Sequence, residues 1–183
     1  MLITILNGEP DSTSAFQQYL SELAQSLTTA GHAVTTLDLR DLNLKGCSGC
    51  FGCRIKTPGE CVKRDDSSRI CRAAIEADIL LFASPMKMGF TSALLKHATD
   101  QMIPLIHPYF LIEGGEVHHR ARYQKYPLFG LLLGAEPSTD AEDIEITTAI
   151  WRRTARNLKS RLVFAAVAER PIQEVANEFL AAA

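Results

Sequence analysis

Short apolar runs alternate with longer amphipathic segments along nearly the whole chain, and this alternation constrains the fold more than any other feature. The five strand-sized runs span residues 2–6, 33–37, 79–83, 128–133 and 162–167. Strands that alternate with helical patterns favour βαβ units with right-handed crossovers. The sequence therefore predicts a parallel, doubly wound sheet with helices on both faces, for which the strand order 2-1-3-4-5 is one solution.

The segments between these runs carry apolar residues at helical spacing and predict five helices. Two of them span residues 14–30 and 67–76, and Thr91, Asp140 and Pro171 are predicted to begin the other three. We find no internal repeat and no linker. A chain of 183 residues is long enough to bury a core of its own, so we expect a single domain over residues 1–183.

The overall charge gives no reason to expect a polyanionic partner. The formal net charge is -2 and the pI is about 6.2, which argues against nucleic acid and against an anionic membrane surface. The N-terminus lacks the basic region of a signal peptide, and no apolar run approaches the ~20 residues of a membrane helix. We therefore expect a cytoplasmic protein with no membrane partner.

Two segments interrupt the alternation. The first, at about residues 40–65, is rich in Cys, Gly and Lys, and the second is a long excursion at about residues 104–126. An excursion of that length in a compact domain is usually functional. It carries a basic and aromatic patch that either meets an anionic group or forms a solvated face or subunit contact. The patch consists of His118, His119, Arg120, Arg122 and Tyr123.

The cysteines of the first segment give the strongest local signal. In a reducing compartment, clustered cysteines indicate a metal or redox site before they indicate disulfides. The spacing resembles that of a cubane iron–sulfur cluster more than that of a structural zinc site. The alternative is a loop packed by reduced cysteines, in which Cys50 and Cys53 form a reversible disulfide. The candidate ligands of a [4Fe-4S] cluster are Cys47, Cys50, Cys53 and Cys61.

Ligands of an open α/β sheet bind beyond the carboxyl ends of the strands, where the strand order reverses. The loop after the first strand offers the hydroxyls of Ser12, Thr13 and Ser14 at a helix N-terminus, where a phosphate can bind. The alternative is that these residues only cap the helix. Glu9 and Asp11 count against the phosphate because their carboxylates would repel it.

The loops after the third and fourth strands reach the same edge. In the loop after the third strand, backbone groups and polarizable methionines suit the edge and face of a flat heterocycle. The alternative is that this loop only connects a strand to a helix and that its methionines fill the core. The candidates after the third strand are Pro85, Met86, Lys87, Met88 and Gly89. Those after the fourth strand are Gly134, Ala135 and Glu136.

Three stretches together resemble a known family. They are LITILNGEP, GCSGCFGCRIKTPGECVKRDD and ADILLFASPMKMGFTSALLKHATDQ, which span residues 2 to about 101. The chain resembles the NADPH-dependent FMN reductase and flavodoxin-like oxidoreductase family, including its iron–sulfur flavoprotein branch. The resemblance implies a flavodoxin-like, doubly wound sheet of five parallel strands in the order 2-1-3-4-5.

The resemblance also implies an FMN whose phosphate lies at residues 12–14 and whose ring lies against residues 85–89, with residues 134–136 nearby. It suggests a homodimer or homotetramer. Relatives often carry Ser and a basic residue where this chain has Glu9 and Asp11, and an aromatic where it has Lys87. We hypothesise that Lys87 lies near the flavin N1–C2 edge.

The leading functional hypothesis is an FMN-dependent oxidoreductase. It would take hydride from NAD(P)H and pass electrons to a small-molecule acceptor such as a quinone or a nitro or azo compound. No catalytic side chain is identified. The first alternative is an iron–sulfur flavoprotein that carries electrons without substrate turnover. The second is a cysteine-based redox sensor or binding module whose flavin site has been lost.

Overall fold

The computed structural model describes residues 1–182, and a parallel sheet lies at its centre. The strands of this sheet are Leu2–Asn7 (β1), Ala33–Asp38 (β2), Ile79–Lys87 (β3), Leu128–Gly134 (β7) and Leu162–Val167 (β8). Their order is β2-β1-β3-β7-β8. With β7 and β8 as the fourth and fifth strands of the prediction, the flavodoxin-like order 2-1-3-4-5 is confirmed.

Helices cover both faces of the sheet. Their bounds are Ala15–Thr29 (α1), Gly52–Ile55 (α2), Ser67–Glu76 (α3), Ala93–Asp100 (α4), Ala141–Asn157 (α5) and Ile172–Ala182 (α6). Alternate residues of β1 point to opposite faces, so Ile3 and Ile5 pack under α1 and α6, while Leu6 packs under α3, α4 and α5. No helix within residues 1–182 is long and apolar enough to cross a membrane.

Strand β3 is four residues longer than predicted. We expected it to end at Ala83 and a loop to follow, but Ser84 and Pro85 continue the pairing with β7. The strand then pairs with a two-residue strand, Phe90–Thr91 (β4), around a turn at Met88 and Gly89. Both turn residues have positive φ, 52° and 74°, so the free loop at this edge is only two residues long.

The excursion at residues 104–126, which we predicted to be irregular, contains an antiparallel hairpin. Its strands are Ile106–Glu113 (β5) and Glu116–Ala121 (β6). Gly114 and Gly115 form the turn with φ of 59° and 78°, a Gly-Gly signal that the sequence analysis missed. The Tyr126 hydroxyl anchors the base of the hairpin by donating to the Leu105 carbonyl at 2.6 Å.

Helix α4 is capped by Ser92, not by Thr91 as predicted. The Ser92 Oγ accepts from the Leu95 N–H at 3.3 Å and donates to the Gly8 carbonyl at 2.6 Å. The Ser92 N–H donates to the Ser84 Oγ at 2.8 Å. The cap lies one residue later than predicted because Thr91 belongs to β4 and pairs with Met86 of β3.

Replacing Ser92 by Ala should lower the free energy of unfolding by about 1–2 kcal/mol, because it removes both a cap and the hydrogen bond to Gly8. Urea unfolding followed by circular dichroism measures the change. Ser68→Ala is the matched control, since Ser68 is exposed in the first turn of α3, and it should stay within about 0.5 kcal/mol of the parent. Equal losses in the two variants would contradict the role given to Ser92.

Candidate functional site

The loop after β1 is fixed to its neighbours at the point where the strand order reverses. The Gly8 N–H donates to the Ala83 carbonyl at 2.8 Å, and the Gly8 carbonyl accepts from Ser92. A Cβ at Gly8 would lie 2.8 Å from both Leu95 Cβ and Ser92 Oγ, so only glycine permits this approach. The ends of β1 and β3 and the start of α4 therefore form one rigid corner.

Several of the donors that a phosphate would use in this loop already have partners in the chain, but among the described residues the N–H and the hydroxyl of Ser12 have none. The Asp11 N–H donates to Glu9 Oε1 at 2.8 Å. The Thr13 N–H and hydroxyl both donate to Asp11 Oδ1, at 2.8 and 2.7 Å. The Ser14 Oγ accepts from the Gln17 N–H at 3.0 Å and caps α1, which is the alternative that the sequence analysis left open.

Carboxylates also outnumber cations at this loop. The bond from the Thr13 N–H holds the pKa of Asp11 below its ordinary value, so this group stays charged. Arg40 is one nearby cation, but it pairs with Asp38 at 3.3 Å and donates to the Glu9 carbonyl at 3.1 Å. Arg40 and Lys87 are thus the cations near the carboxylates of Glu9, Asp11 and Asp38. The charge at this loop opposes a dianionic phosphate, while Ser12 keeps donors that one could use.

The edge of the sheet beyond β3 combines buried and exposed candidates. Pro85 and Met86 are buried, and Met86 lies in the core, as the alternative interpretation expected. Met88, in contrast to Met86, has a fully exposed side chain at the tip of the turn. A Cβ at Gly89 would lie 2.6 Å from Asp143 Oδ1, so glycine lets this turn rest on the first turn of α5.

The loops after β3 and β7 are joined by an ion pair. The Lys87 ammonium pairs with Glu136, and this hydrogen bond raises the pKa of Lys87. The hypothesis that Lys87 lies at a flavin edge remains a prediction, and the ion pair gives its ammonium a protein partner. The backbone of Gly134 is covered by the ring of Phe16, which lies 2.6 Å from where a Cβ would be. Together with Ala135, these residues form the edge that we call the shelf, on which the side chain of Met88 is exposed.

The four clustered cysteines line one pocket. Cys47 and Cys50 are exposed, while Cys53 and Cys61 are partly buried. The other walls come from the α2 segment, from Lys63 and from the residues that follow α4. The close course of the chain needs glycine, because a Cβ at Gly52 would lie 2.4 Å from the Val62 side chain.

This shared pocket is not a finished metal site. Within residues 1–182, no three His, Cys, Asp or Glu side chains are placed to hold a metal ion. The Lys63 ammonium donates to the Gly46 carbonyl at 2.6 Å and so braces the loop that carries the cysteines. The predicted [4Fe-4S] ligands are therefore neighbours, but the loop would have to close further to form a cluster, and we derive no electron step through one.

The predicted basic patch does not form one surface. His118 is buried against Glu116 at 3.1 Å, whereas Arg122 points back and donates from Nε to the Pro104 carbonyl at 2.9 Å. His119 lies 3.1 Å from the Arg54 guanidinium, and this contact joins the cysteine segment to the hairpin. Sequence reasoning missed this contact, because 65 residues separate the two side chains along the chain.

Fold and site define a flavodoxin-like protein in which the loops after β1, β3 and β7 meet at one edge of the sheet, together with a cysteine-lined pocket. The family model described as NADPH-dependent FMN reductase matches residues 1–124, and the chain belongs to this family. The match includes the cysteine segment and both β5 and β6.

Curated relatives carry a more specific description. An iron-sulfur flavoprotein of Archaeoglobus fulgidus is 26% identical over 101 residues, covering 55% of this chain and 48% of the relative. An iron-sulfur flavoprotein of Methanocaldococcus jannaschii is 30% identical over 105 residues, covering 57% and 53%. The chain spans about half the length of the curated relatives it matches.

Solved structures agree on the fold. An NAD(P)H:quinone oxidoreductase from Methanothermobacter marburgensis has a TM-score of 0.65 at 19% identity, covering 100% of this chain and 97% of the other. An FMN-dependent NADH-azoreductase from Bacillus anthracis has a TM-score of 0.65 at 12% identity, covering 100% and 96%. At these identities the likeness establishes the flavodoxin-like fold.

The cysteines should differ sharply in reactivity. A hydrogen bond from the Gly52 N–H lowers the pKa of Cys50, whereas burial raises the pKa of Cys71 to about 12, and its S–H donates to the Gln101 carbonyl. In reduced, chelator-treated protein at pH 7.5, iodoacetamide should modify Cys50 at least about tenfold faster than Cys71, since the thiolate is the nucleophile. Mass spectrometry of timed samples measures both rates, and equal rates would contradict the placement of Cys71.

Proposed function

We propose that the chain is a flavin-dependent oxidoreductase that passes electrons from NAD(P)H to a quinone, a nitro or azo compound or another small acceptor. The observation that carries this proposal is the convergence of three loops, after β1, β3 and β7, at the point of strand reversal in a chain of the NADPH-dependent FMN reductase family. The flavin, when bound, supplies the redox chemistry, and the protein supplies the shelf.

The residues of the shelf have distinct roles in this proposal. The Met88–Gly89 turn offers backbone groups and an exposed thioether to the flat ring. The ion pair of Lys87 and Glu136 holds the two loops at a fixed separation. Hydride transfer from a nicotinamide to a flavin needs no side chain as a general acid or base. Reduction of a quinone to the hydroquinone takes up one further proton, which solvent at this exposed edge can supply.

A visible spectrum of the protein purified without oxygen tests the proposal, with iron assayed in the same sample. A two-band flavin spectrum, together with NAD(P)H oxidation that depends on an added quinone, is the expected result. Colourless protein that binds neither added FMN nor added riboflavin would contradict the proposal.

The charge of the β1 loop gives a second prediction. Glu9 and Asp11 occupy the donors of Asp11 and Thr13 and place two carboxylates where the phosphate would lie, so the parent protein should bind riboflavin at least as tightly as FMN. Neutralising both in Glu9→Gln/Asp11→Asn should tighten FMN binding by about tenfold and leave riboflavin unchanged, because only FMN carries the repelled phosphate. Quenching of flavin fluorescence gives the four dissociation constants.

The control for this pair is Glu22→Gln, which removes a carboxylate from the exposed side of α1, away from the loop. It should change neither constant by more than about twofold. A parent protein that binds FMN much more tightly than riboflavin, with no gain in the double variant, would show that the carboxylates move away from the phosphate on binding.

A second candidate function is that of an iron–sulfur flavoprotein which carries electrons without substrate turnover. The shared pocket of Cys47, Cys50, Cys53 and Cys61 favours it, and the curated relatives from Archaeoglobus fulgidus and Methanocaldococcus jannaschii are iron-sulfur flavoproteins. About four irons per chain with negligible NAD(P)H oxidation would support this candidate over the first. Assembly into a homodimer or homotetramer and a cytoplasmic location remain predictions.

A further inference from the structure

A cavity lies where α5 ends and β8 begins, beside the turn of the β5–β6 hairpin. Because it adjoins the first residue of β8, it lies at the end of the sheet opposite to the shelf. Its volume is about 490 Å³, within the range of sites that hold small molecules. We call it the α5–β8 pocket, and its charged lining residues are Glu113, Arg152, Arg156, Lys159 and Arg161.

This pocket concentrates positive charge in a chain whose net charge is negative. Four cations and one carboxylate line it, which leaves a formal charge of +3, whereas the whole chain carries -2. Like charges around one cavity repel each other, and this repulsion is relieved when an anion enters. Three of the four cations are arginines, whose planar guanidinium binds pairs of phosphate or carboxylate oxygens. The lining therefore favours an anionic occupant.

Two of the four cations have carboxylate partners. Arg156 Nη1 lies 3.1 Å from Glu116 Oε2, an oxygen that Arg153 also contacts. The Lys159 ammonium lies 3.4 Å from Glu113 Oε2, and the Glu113 side chain is 61% exposed. One carboxylate is thus shared between two arginines and the other is solvated, so neither cation of the pocket is fully neutralised.

The guanidinium groups of Arg152 and Arg161 have no such partner. Both residues are exposed, and within residues 1–182 no carboxylate oxygen lies within 4.0 Å of either guanidinium. In the same part of the chain, neither side chain donates a hydrogen bond to another residue. Arg152 belongs to α5 and Arg161 immediately precedes β8. Free donors therefore reach the pocket from two different elements.

The end of α5 does not itself account for these cations. Basic side chains in a last turn often bind the final carbonyls or balance the helix dipole. Here the backbone satisfies the carbonyls, because the Lys159 N–H donates to the Arg156 carbonyl at 3.1 Å and the Ser160 N–H to the Ala155 carbonyl at 2.8 Å. These two bonds form a Schellman motif. Arg161 lies beyond the helix altogether.

Lys159 occupies a backbone position that normally selects glycine. It is the first residue after the cap of α5, and its φ of 61° lies in the left-handed region. Glycine adopts this conformation without the steric penalty of a Cβ. Residues held in such conformations cluster at ligand sites, and the Lys159 side chain lines the pocket while only 13% of it is exposed. The ammonium supplies the reason for a lysine here.

We propose that the α5–β8 pocket binds a small molecule that carries a diphosphate group. A diphosphate ester has a charge of about -3 near neutral pH, which balances the +3 of the lining. Its two phosphate groups offer acceptor oxygens to both of the free guanidiniums, those of Arg152 and Arg161. The pocket and the shelf lie at opposite ends of the sheet, so this site stands independently of the proposed flavin chemistry.

Isothermal titration calorimetry of the whole chain with inorganic pyrophosphate tests the proposal. The buffer is passed over a chelating resin, because pyrophosphate also binds divalent cations. One pyrophosphate should bind per chain, and inorganic phosphate, with one group and less charge, should bind about tenfold more weakly. Absence of pyrophosphate binding at millimolar concentration would overturn the proposal, as would equal affinity for the two anions.

Two double variants locate the site. Arg152→Gln/Arg161→Gln removes both free guanidiniums and should weaken pyrophosphate binding at least about tenfold. Arg69→Gln/Arg72→Gln is the matched control, because it removes the same charge from exposed positions on α3 that do not line the pocket. It should stay within about twofold of the parent. Equal losses in the two variants would show a response to net charge alone and would contradict the site.

Lys159→Gly separates binding from folding. Glycine relieves the left-handed backbone at this position, so the variant should unfold at the same urea concentration as the parent or at a higher one. Loss of the ammonium should nevertheless weaken pyrophosphate binding at least about fivefold. A Lys159→Gly protein that binds pyrophosphate as tightly as the parent would count against the proposal, since a purely structural lysine leaves binding unchanged.

Discussion

The corner formed by Gly8, Ser84 and Ser92 is the constraint on which the candidate site depends. Through it the end of β1, the extension of β3 and the start of α4 share three hydrogen bonds of 2.6 to 2.8 Å, all buried among backbone atoms. The two bonds of Gly8 cross to segments far away in the sequence, so they form only when β1 and β3 lie side by side in the sheet. The corner therefore fixes the base of the shelf, and the flat ring proposed to bind there would need such a fixed support.

The strands and most helices could be predicted because their signal is local. Apolar runs and helical spacing are set by burial on one face or both, and residues 162–167 were predicted without error. The misses have tertiary causes. The end of β3 depends on pairing of Ser84 and Pro85 with β7, and the cap at Ser92 depends on β4. Neither partner is visible in the local sequence.

The topology that locates the candidate site was predictable, and the location itself stays a prediction. Sequence reasoning places the site at the loops after β1, β3 and β7 because ligands of such sheets bind where the strand order reverses. The charge conflict at Glu9 and Asp11 was also readable from residue types. The sequence does not reveal that these carboxylates accept hydrogen bonds from Thr13 and from the backbone of their own loop. It also does not reveal the ion pair of Lys87 and Glu136. Both depend on the directions of side chains in the folded chain.

The hairpin contacts the rest of the molecule at two places. Its inner strand β6 reaches α5 through Glu116, which Arg153 and Arg156 hold, and that carboxylate in turn fixes the ring of His118. On the other side, His119 meets Arg54 beside the cysteines. One hairpin thus contacts α5 and braces the cysteine segment. A shift of the hairpin on α5 would therefore move the loop that carries Cys53, because the contact between His119 and Arg54 joins the two.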